Sequence, residues 1–477
     1  MTQIPDNFIN HLLSQSLDKS EVEAFIHSCK TPLRKSIRVN TQKISVDKFS
    51  QWASSIGWQL KSIPWCPEGF WVDLPKELED VSLGNYVEHL QGLYYIQEAS
   101  SMLPPTAMRL ALSNANFVLD MAAAPGSKTT QIANYIAPEC TLVANELASS
   151  RLKVLHANIL RCGVGNACLT HYDAAVFGEK LPEKFDAILL DTPCGGEGTI
   201  RKDPDALQNW SLDALKTLAS VQQKLIVSAF NALAEGGVLV YSTCTLSKEE
   251  NQFICNYLLQ EFPELVSIVS LETLFPGAQS CVTPEGYLHV FPHIYDSEGF
   301  FVAAFQKKRA NQSSATSEKL PKNWPYSKLT KKVYQQIESY FQNHFGFSLQ
   351  GLKDGLWIRE NVIWYFPEGA TKIISALKVE RAGFKVAELH KNTIKSLHDF
   401  AIVYGHEFSK QLVELNSCQA KDYSQGKDIS VQQLPDKGEC LLTYRSIPLG
   451  FGKVVNNRIK NRLPRPLVRD NAYTLTS

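Results

Sequence analysis

The chain has no Cys-x-x-Cys pair although it carries eleven cysteines in 477 residues. That argues against both a disulfide framework and a zinc finger. It has no apolar run long enough to span a bilayer, and its start lacks the basic cluster and apolar stretch of a signal peptide. No membrane partner is therefore expected, and a reducing cytoplasm suits the cysteine usage. Neither sign of charge dominates: Lys+Arg and Asp+Glu both number 48. A nucleic-acid partner would need a local basic patch, because the whole molecule offers no steering field. Two ligand signatures are missing as well. The loop after the first strand of the central region shows neither GxGxxG nor the GK[ST] ending of a phosphate-binding loop, so dinucleotide and ATP chemistry are not indicated.

At 44% hydrophobic and 20% charged residues, the composition is that of ordinary globular domains, and the length suits two to four of them. Residues 1–100 read as a mixed α/β module. Phe8, Leu12, Leu13 and Leu17 lie near helical spacing, Val22, Phe25 and Ile26 mark a second helix, Lys35 to Thr41 alternates like a strand, and Phe49 to Ile56 reads as a helix. Trp65 to Gly69 reads as a turn. Between 101 and 308, strand, loop and helix alternate, which predicts a doubly wound α/β domain with a parallel sheet. Its strands are Phe117–Met121, Thr141–Glu146, Phe185–Asp191 and Val238–Ser242, with a long helix from Leu215 to Leu233 ended by Gly236-Gly237. A polar, Ser/Thr-rich linker at 309–323 follows. Beyond it a small α/β module at 324–386 contains a hairpin around Glu360-Asn361. A β-rich region at 387–477 carries a helix from Thr393 to Tyr404 and strands beginning at Glu439 and Gly450.

The central region carries the chemistry. Small residues in Ala122-Ala123-Ala124-Pro125-Gly126-Ser127-Lys128 let the backbone approach a ligand, and Gly126 frees one φ angle. Acidic residues then end the following strands, at Glu146, Asp173 and Asp191. A carboxylate after the second strand typically grips ribose hydroxyls. Three carboxylates round one pocket repel a polyphosphate and suit a ligand bearing a sulfonium and an ammonium, which favours S-adenosyl-L-methionine over NAD. Taken singly, Glu146 and Asp173 have helix capping as the lesser alternative.

Most cysteines are small buried hydrophobes. Cys194 in Asp191-Thr-Pro-Cys-Gly-Gly and Cys244 in Tyr241-Ser-Thr-Cys-Thr differ, because each follows a predicted strand end, and open α/β sheets place chemistry there. Carbon 5 of a pyrimidine is a poor nucleophile until a thiolate adds to carbon 6 and makes the ring an enamine that can attack an electrophilic methyl. The thiol needs nearby donors or cations to ionise, a base must later take the carbon 5 proton, and a carboxylate such as Asp191 can hold the ring nitrogen and amine of cytosine.

These strings, together with Arg38-Val-Asn-Thr41, Tyr95-Ile-Gln-Glu-Ala-Ser-Ser101, Pro292-His293 and Gly299-Phe-Phe301, resemble in order the Sun/Fmu family of RNA cytosine-C5 methyltransferases over nearly the whole chain. The resemblance implies a Rossmann-like class I methyltransferase domain with a PUA-like C-terminal region. It implies Cys244 as nucleophile, Cys194 as the thiol assisting product release, and Asp191 facing both base and cofactor. It further implies that residues 122–128, Glu146, Asp173 and Asp191 contact S-adenosyl-L-methionine, with no metal needed. The implied partner is small-subunit ribosomal RNA or the subunit itself, methylated at cytosine 1407 of the 16S molecule, by a protein expected to be a monomer. Asp-Thr-Pro-Cys-Gly-Gly departs from the Asp-Ala-Pro-Cys-Ser-Gly common in the family. The stretch Lys453, Arg458, Lys460, Arg462, Arg465 and Arg469, with no acidic residue among them, reads alone as a solvated surface or an RNA contact. The resemblance favours phosphate contact. His289 and His293 read as structural. Two alternatives stand: a DNA cytosine-C5 methyltransferase, where the Pro-Cys thiol attacks, and an RNA-binding ribosome-assembly factor without activity.

Overall fold

The computed structural model describes residues 4–15, 17–308, 320–391 and 393–475. Most of the expected linker, 309–319, lies outside them. The centre is a nine-stranded sheet. In spatial order its strands are Val266–Val269, Phe300–Lys307, Leu233–Thr243, Phe185–Asp191, Phe117–Asp120, Thr141–Asn145, Ala167–Thr170 and Val379–Ala382, with Leu288–Val290 paired to Phe300–Lys307. The five strands from Leu233–Thr243 to Ala167–Thr170 run parallel. Their central stretches, such as Ala187–Leu190 and Leu239–Tyr241, are buried on both faces, which is why they read as short apolar runs. Phe117–Asp120 lies between Thr141–Asn145 and Phe185–Asp191, so the winding reverses there. The carboxyl ends at such a reversal form the crevice in which doubly wound sheets bind ligands.

The first hundred residues divide. Helices Asp6–Ser14 and Lys19–Cys29 pack Phe8, Leu12, Val22 and Phe25 against Ile200, Leu207, Leu246 and Phe291 of the central domain. A separate core forms where helix Val46–Ser55 covers a four-stranded sheet ordered Gln59–Ile63, Cys66–Asp73, Ser36–Val39 and Tyr94–Ile96. Arg38, in the third of these strands, is almost wholly buried. Its guanidinium donates to Gln97 Oε1 at 2.8 Å and to Thr130 Oγ1 at 2.8 Å, fastening this module to the helix Ser127–Ala133.

Several expected elements differ. Trp65 to Gly69 reads as a turn in sequence, yet Cys66–Asp73 is a strand. Pro67 is exposed beside a register shift, where a ladder tolerates a missing N–H. The long helix spans Leu212–Ala232, and Leu233 already belongs to the next strand, paired with Phe185. The helix read from Thr393 is His398–Tyr404, because Ile394–Ser396 pairs with Ala387–Leu389. The boundary expected at 386 therefore falls inside the strand Phe384–Leu389 of a five-stranded sheet that runs on to Ser396. Just before it, Val379–Ala382 pairs antiparallel with Ala167–Thr170, so this segment also extends the central sheet. The hairpin Leu356–Arg359/Val362–Tyr365 turns at Glu360, whose φ is 56°.

The last sheet pairs Leu412–Glu414, Gly438–Tyr444, Ile447–Val455 and Arg458–Asn461. It reaches back to the amino-terminal module through Gln91 Nε2, which donates to the Tyr444 and Ile447 carbonyls, and through an Arg445–Glu88 ion pair at 3.2 Å. No helix among the described residues is long and apolar enough to cross a membrane.

Candidate active site at the sheet edge

Strands Phe185–Asp191 and Leu233–Thr243 are neighbours, with Asp191 opposite Ser242. Chain segments fifty residues apart in sequence thus leave the sheet side by side. Their next residues bring Cys194 Sγ and Cys244 Sγ to 3.2 Å, both half-buried and both free thiols. Of the other nine cysteines, eight are buried and Cys418 is exposed. The contact with Cys244, reinforced by burial, pushes the Cys194 thiol well above its ordinary value. A neutral Cys194 S–H can then donate to the Cys244 sulfur.

Asp191 lies in the same crevice. Its Oδ2 accepts from Lys128 Nζ at 2.7 Å and its Oδ1 from Ser242 Oγ at 2.7 Å. Burial opposes the Lys128 ammonium, but Asp191, Asp120 and the neighbouring Cys244 outweigh it and raise its pKa. The Lys128 ammonium thus interacts electrostatically with Cys244 as well as with Asp191.

The loop 122–128 enters the crevice from the adjacent strand. Gly126 has φ 109°, a conformation that favours glycine, and a Cβ there would stand 3.1 Å from Leu155 Cδ1, which would have to shift slightly. The Ala124 carbonyl accepts from Arg151 Nη2 at 2.6 Å, the Pro125 carbonyl from Asn158 Nδ2 at 2.9 Å, and Thr129 Oγ1 donates to Asp120 Oδ2 at 2.6 Å. Ala122 and Ser127 are partly exposed on this loop, while Ala123 is buried with its N–H donated to the Asn145 carbonyl. Glu146 follows the second strand, its Oε1 accepting from Ala148 N at 2.8 Å. Asp173 follows the third and caps the turn Ala174–Val176 through Ala175 N at 2.9 Å. Asp173 thus caps, whereas Glu146 bonds the amide of Ala148 just before the helix Ser149–Cys162, whose first turn takes no side-chain cap. Buried Glu146 Oε2 and Asp120 Oδ1 have no hydrogen-bond partner; Glu146 Oε2 meets only the Arg151 guanidinium, at 3.5 Å. Open buried acceptors beside a glycine loop fit a ligand carrying ribose hydroxyls and an ammonium group.

Two carboxylates not singled out by sequence reasoning stand behind the thiols. Glu197 is fully buried and accepts five hydrogen bonds: from Trp210 Nε1, Ser247 Oγ, Thr245 Oγ1 and the Leu246 and Ser247 amides, all at 2.6–2.9 Å. Glu250, also buried, accepts from Gly195 N and from Gln222 Nε2. No spacing pattern marks either one. His289 and His293 are held below the ordinary imidazole value by burial, His289 at about 3, and no group of three metal-ligating side chains occurs among the described residues. The basic stretch divides: Lys453, Arg458, Lys460, Arg465 and Arg469 are exposed, but Arg462 is half-buried and paired with Glu439, so it is no part of a free cationic face. Arg458 also pairs with Asp428 at 3.3 Å.

Burial pushes Asp120, Glu250 and Glu298 each up to about 7. The folded state then binds more protons than the unfolded chain between the ordinary carboxylate range and neutrality, so these groups stabilise at low pH and lose that contribution as pH rises towards 7. The expected result is a melting temperature that falls between pH 5 and 8. Glu298→Gln, which removes one titrating group, should give a shallower fall. A profile identical to wild type would refute the assignment for Glu298.

Four family models match the chain. They are described as the N-terminal domain of 16S rRNA methyltransferase RsmF at residues 4–99, 16S rRNA methyltransferase RsmB/F at 107–306, the ribosomal RNA small subunit methyltransferase F pre-PUA domain at 326–404, and the methyltransferase RsmF PUA domain at 410–469. A ribosomal RNA small subunit methyltransferase F from Aeromonas salmonicida is 48% identical over 472 residues, covering 98% of both chains. The one from Shewanella oneidensis is 46% identical over 478 residues, covering 100% of both. A solved methyltransferase homologue from Pyrococcus horikoshii superposes with a TM-score of 0.52 at 32% identity, covering 64% of this chain and 100% of that one. Matched from its first module to its last, the chain belongs to the RsmF branch of the RsmB/F family of 16S ribosomal RNA methyltransferases.

Proposed function

We propose that this protein transfers a methyl group from S-adenosyl-L-methionine to carbon 5 of a cytidine in 16S ribosomal RNA through a covalent adduct on Cys244. The observation that carries this reading is the pair of thiols 3.2 Å apart in the crevice that also holds the Lys128–Asp191 ion pair. Residues 122–128, Glu146, Asp173 and Asp191 would hold the cofactor. When bound, S-adenosyl-L-methionine supplies an electrophilic methyl group and leaves as S-adenosylhomocysteine. Cys244 Sγ adds to carbon 6 of the base, and the electron pair released to carbon 5 forms the new carbon–methyl bond. Loss of the carbon 5 proton to a base restores the C5–C6 double bond and expels the Cys244 thiolate. Cys194 stands beside that leaving sulfur and assists the release. Asp191 holds the ring nitrogen and exocyclic amine while Lys128 holds Asp191. The exposed cations from Lys453 to Arg469, without Arg462, supply phosphate contacts, and cytosine 1407 is the target that family resemblance indicates.

The test uses labelled cofactor and 5-fluorocytosine-substituted small-subunit RNA beside DNA of the same sequence. A denaturation-resistant adduct with RNA is expected, since fluorine at carbon 5 blocks release. An adduct with DNA alone would replace this reading by a DNA cytosine-C5 methyltransferase. No transfer to unmodified ribosomal RNA or to the subunit would leave an assembly factor.

A further inference from the structure

The two turns that carry the thiols are tied to each other in both directions, and each tie is a buried carboxylate. Glu197 lies three residues after Cys194, and four of its five donors come from Thr245, Leu246 and Ser247, the residues directly after Cys244. Glu250 lies six residues after Cys244 and accepts from the amide of Gly195, directly after Cys194, at 3.0 and 3.2 Å. Gln222 closes the second tie by donating to Glu250 Oε1 at 2.8 Å and to the Pro193 carbonyl at 2.9 Å. Gly198 adds a backbone link, its N–H donating to the Cys244 carbonyl at 2.8 Å. A Cβ at Gly198 would stand 2.2 Å from the Gly299 carbonyl, so this position admits no side chain. Nothing in the sheet itself sets the distance between two loops beyond its edge. These ties do.

We propose that Glu197 and Glu250 form a reciprocal clamp of positioning residues, Glu197 fixing the turn of the attacking thiol and Glu250 fixing the turn of the releasing thiol. The inference rests on the two-cysteine reading above, and it divides the labour between the carboxylates as that reading divides it between the cysteines. Glu197 accepts on both oxygens from donors that include an indole N–H and two backbone amides. An amide group in its place sets one NH2 against those donors, so Glu197→Gln breaks the clamp even though it conserves shape. Glu250 is different. Its Oε1 alone accepts both from the Gly195 amide at 3.0 Å and from Gln222 Nε2 at 2.8 Å, so the one oxygen of a glutamine at 250 can keep both bonds. Glu250→Gln is therefore expected to preserve the clamp, whereas Glu250→Ala removes it.

The full-length protein and these variants are compared by two readouts: the rate of adduct formation on 5-fluorocytosine RNA, and the adduct standing on ordinary RNA during turnover. Glu197→Gln should slow formation about tenfold or more, the loss of one hydrogen bond to a charged acceptor, with no standing adduct. Glu250→Ala should form adduct at close to the wild-type rate but accumulate it on ordinary RNA, and Glu250→Gln should restore release. Should Glu197→Gln fail to fold, Thr245→Val removes one donor to Glu197 and is read in the same way. Equal slowing of both steps in both carboxylate variants, or release failing equally in Glu250→Gln and Glu250→Ala, overturns the clamp. So does wild-type behaviour in every variant. Absence of any adduct with the wild-type protein would instead sink the two-cysteine mechanism, and the clamp's role with it.

Discussion

Cys244→Ala is expected to abolish both methyl transfer and the covalent RNA adduct, while Cys194→Ala abolishes turnover yet leaves protein trapped on unsubstituted RNA. Two thiols 3.2 Å apart would give equal losses if they were interchangeable. Their surroundings differ. The contact with Cys244 and its own burial hold Cys194 in the neutral form, and the Lys128 ammonium interacts with Cys244. With Cys194 held neutral, the proposed reading gives attack to Cys244, and a rate loss on the order of 10^4-fold or more is expected on its removal. Cys194 is left to act on the leaving sulfur, and without it the adduct forms but drains slowly. Denaturing electrophoresis of each variant with unmodified ribosomal RNA separates the two outcomes. Loss of the adduct from both variants would refute the division of labour, and an adduct on Cys244→Ala alone would reverse the roles.

Much of the site was legible because parallel strands buried on both faces announce themselves. Ala187–Leu190 and Val238–Tyr241 in the neighbouring strand are continuous apolar runs, so the sequence alone places the residues just past them at the sheet edge. Motif order along the chain did the rest for Cys194, Cys244, Asp191 and the 122–128 loop. What stayed hidden depends on which loops meet. Glu249 and Glu250 are adjacent and identical in type. Glu249 faces Gln15 and His11 of the first helix, while Glu250 turns inward to Gly195. Only the pairing of strands separated by fifty residues decides that. The amino-terminal helices illustrate the same limit, since their apolar stripes were visible but their partners, Ile200, Leu207, Leu246 and Phe291, lie in the catalytic domain. At the other end, Ile394–Ser396 has a helix-compatible sequence and became a strand because an edge was open beside it. Arg462 shows why a charge run is not yet a surface. Glu439, far from it in sequence, neutralises it.

Asp191→Asn should prove nearly as damaging as loss of the nucleophile, and the loss should fall on adduct formation more than on cofactor affinity. The change conserves size but removes the anion to which Lys128 Nζ is bound at 2.7 Å and Ser242 Oγ at 2.7 Å. Two charge-assisted hydrogen bonds at about 2 kcal/mol each correspond to a factor on the order of 10^3 in rate if both act in the transition state. Lys128 is largely buried beside the Phe300 ring, so an unpaired ammonium there also carries a desolvation cost. The proposed hold on the cytosine ring nitrogen and amine goes with the anion. Because Lys128 and Asp191 act as a unit, Lys128→Met should cost a comparable amount, and the double variant should be hardly worse than the more damaged single one. Ser242→Ala, which removes only one of these bonds, should lose about thirtyfold. Single-turnover adduct formation on 5-fluorocytosine RNA, measured beside cofactor binding by calorimetry, distinguishes these effects. Strictly additive losses at Lys128 and Asp191 would show that the ion pair is not the functional unit, and an Asp191→Asn protein forming adduct at the wild-type rate would remove Asp191 from the chemistry altogether.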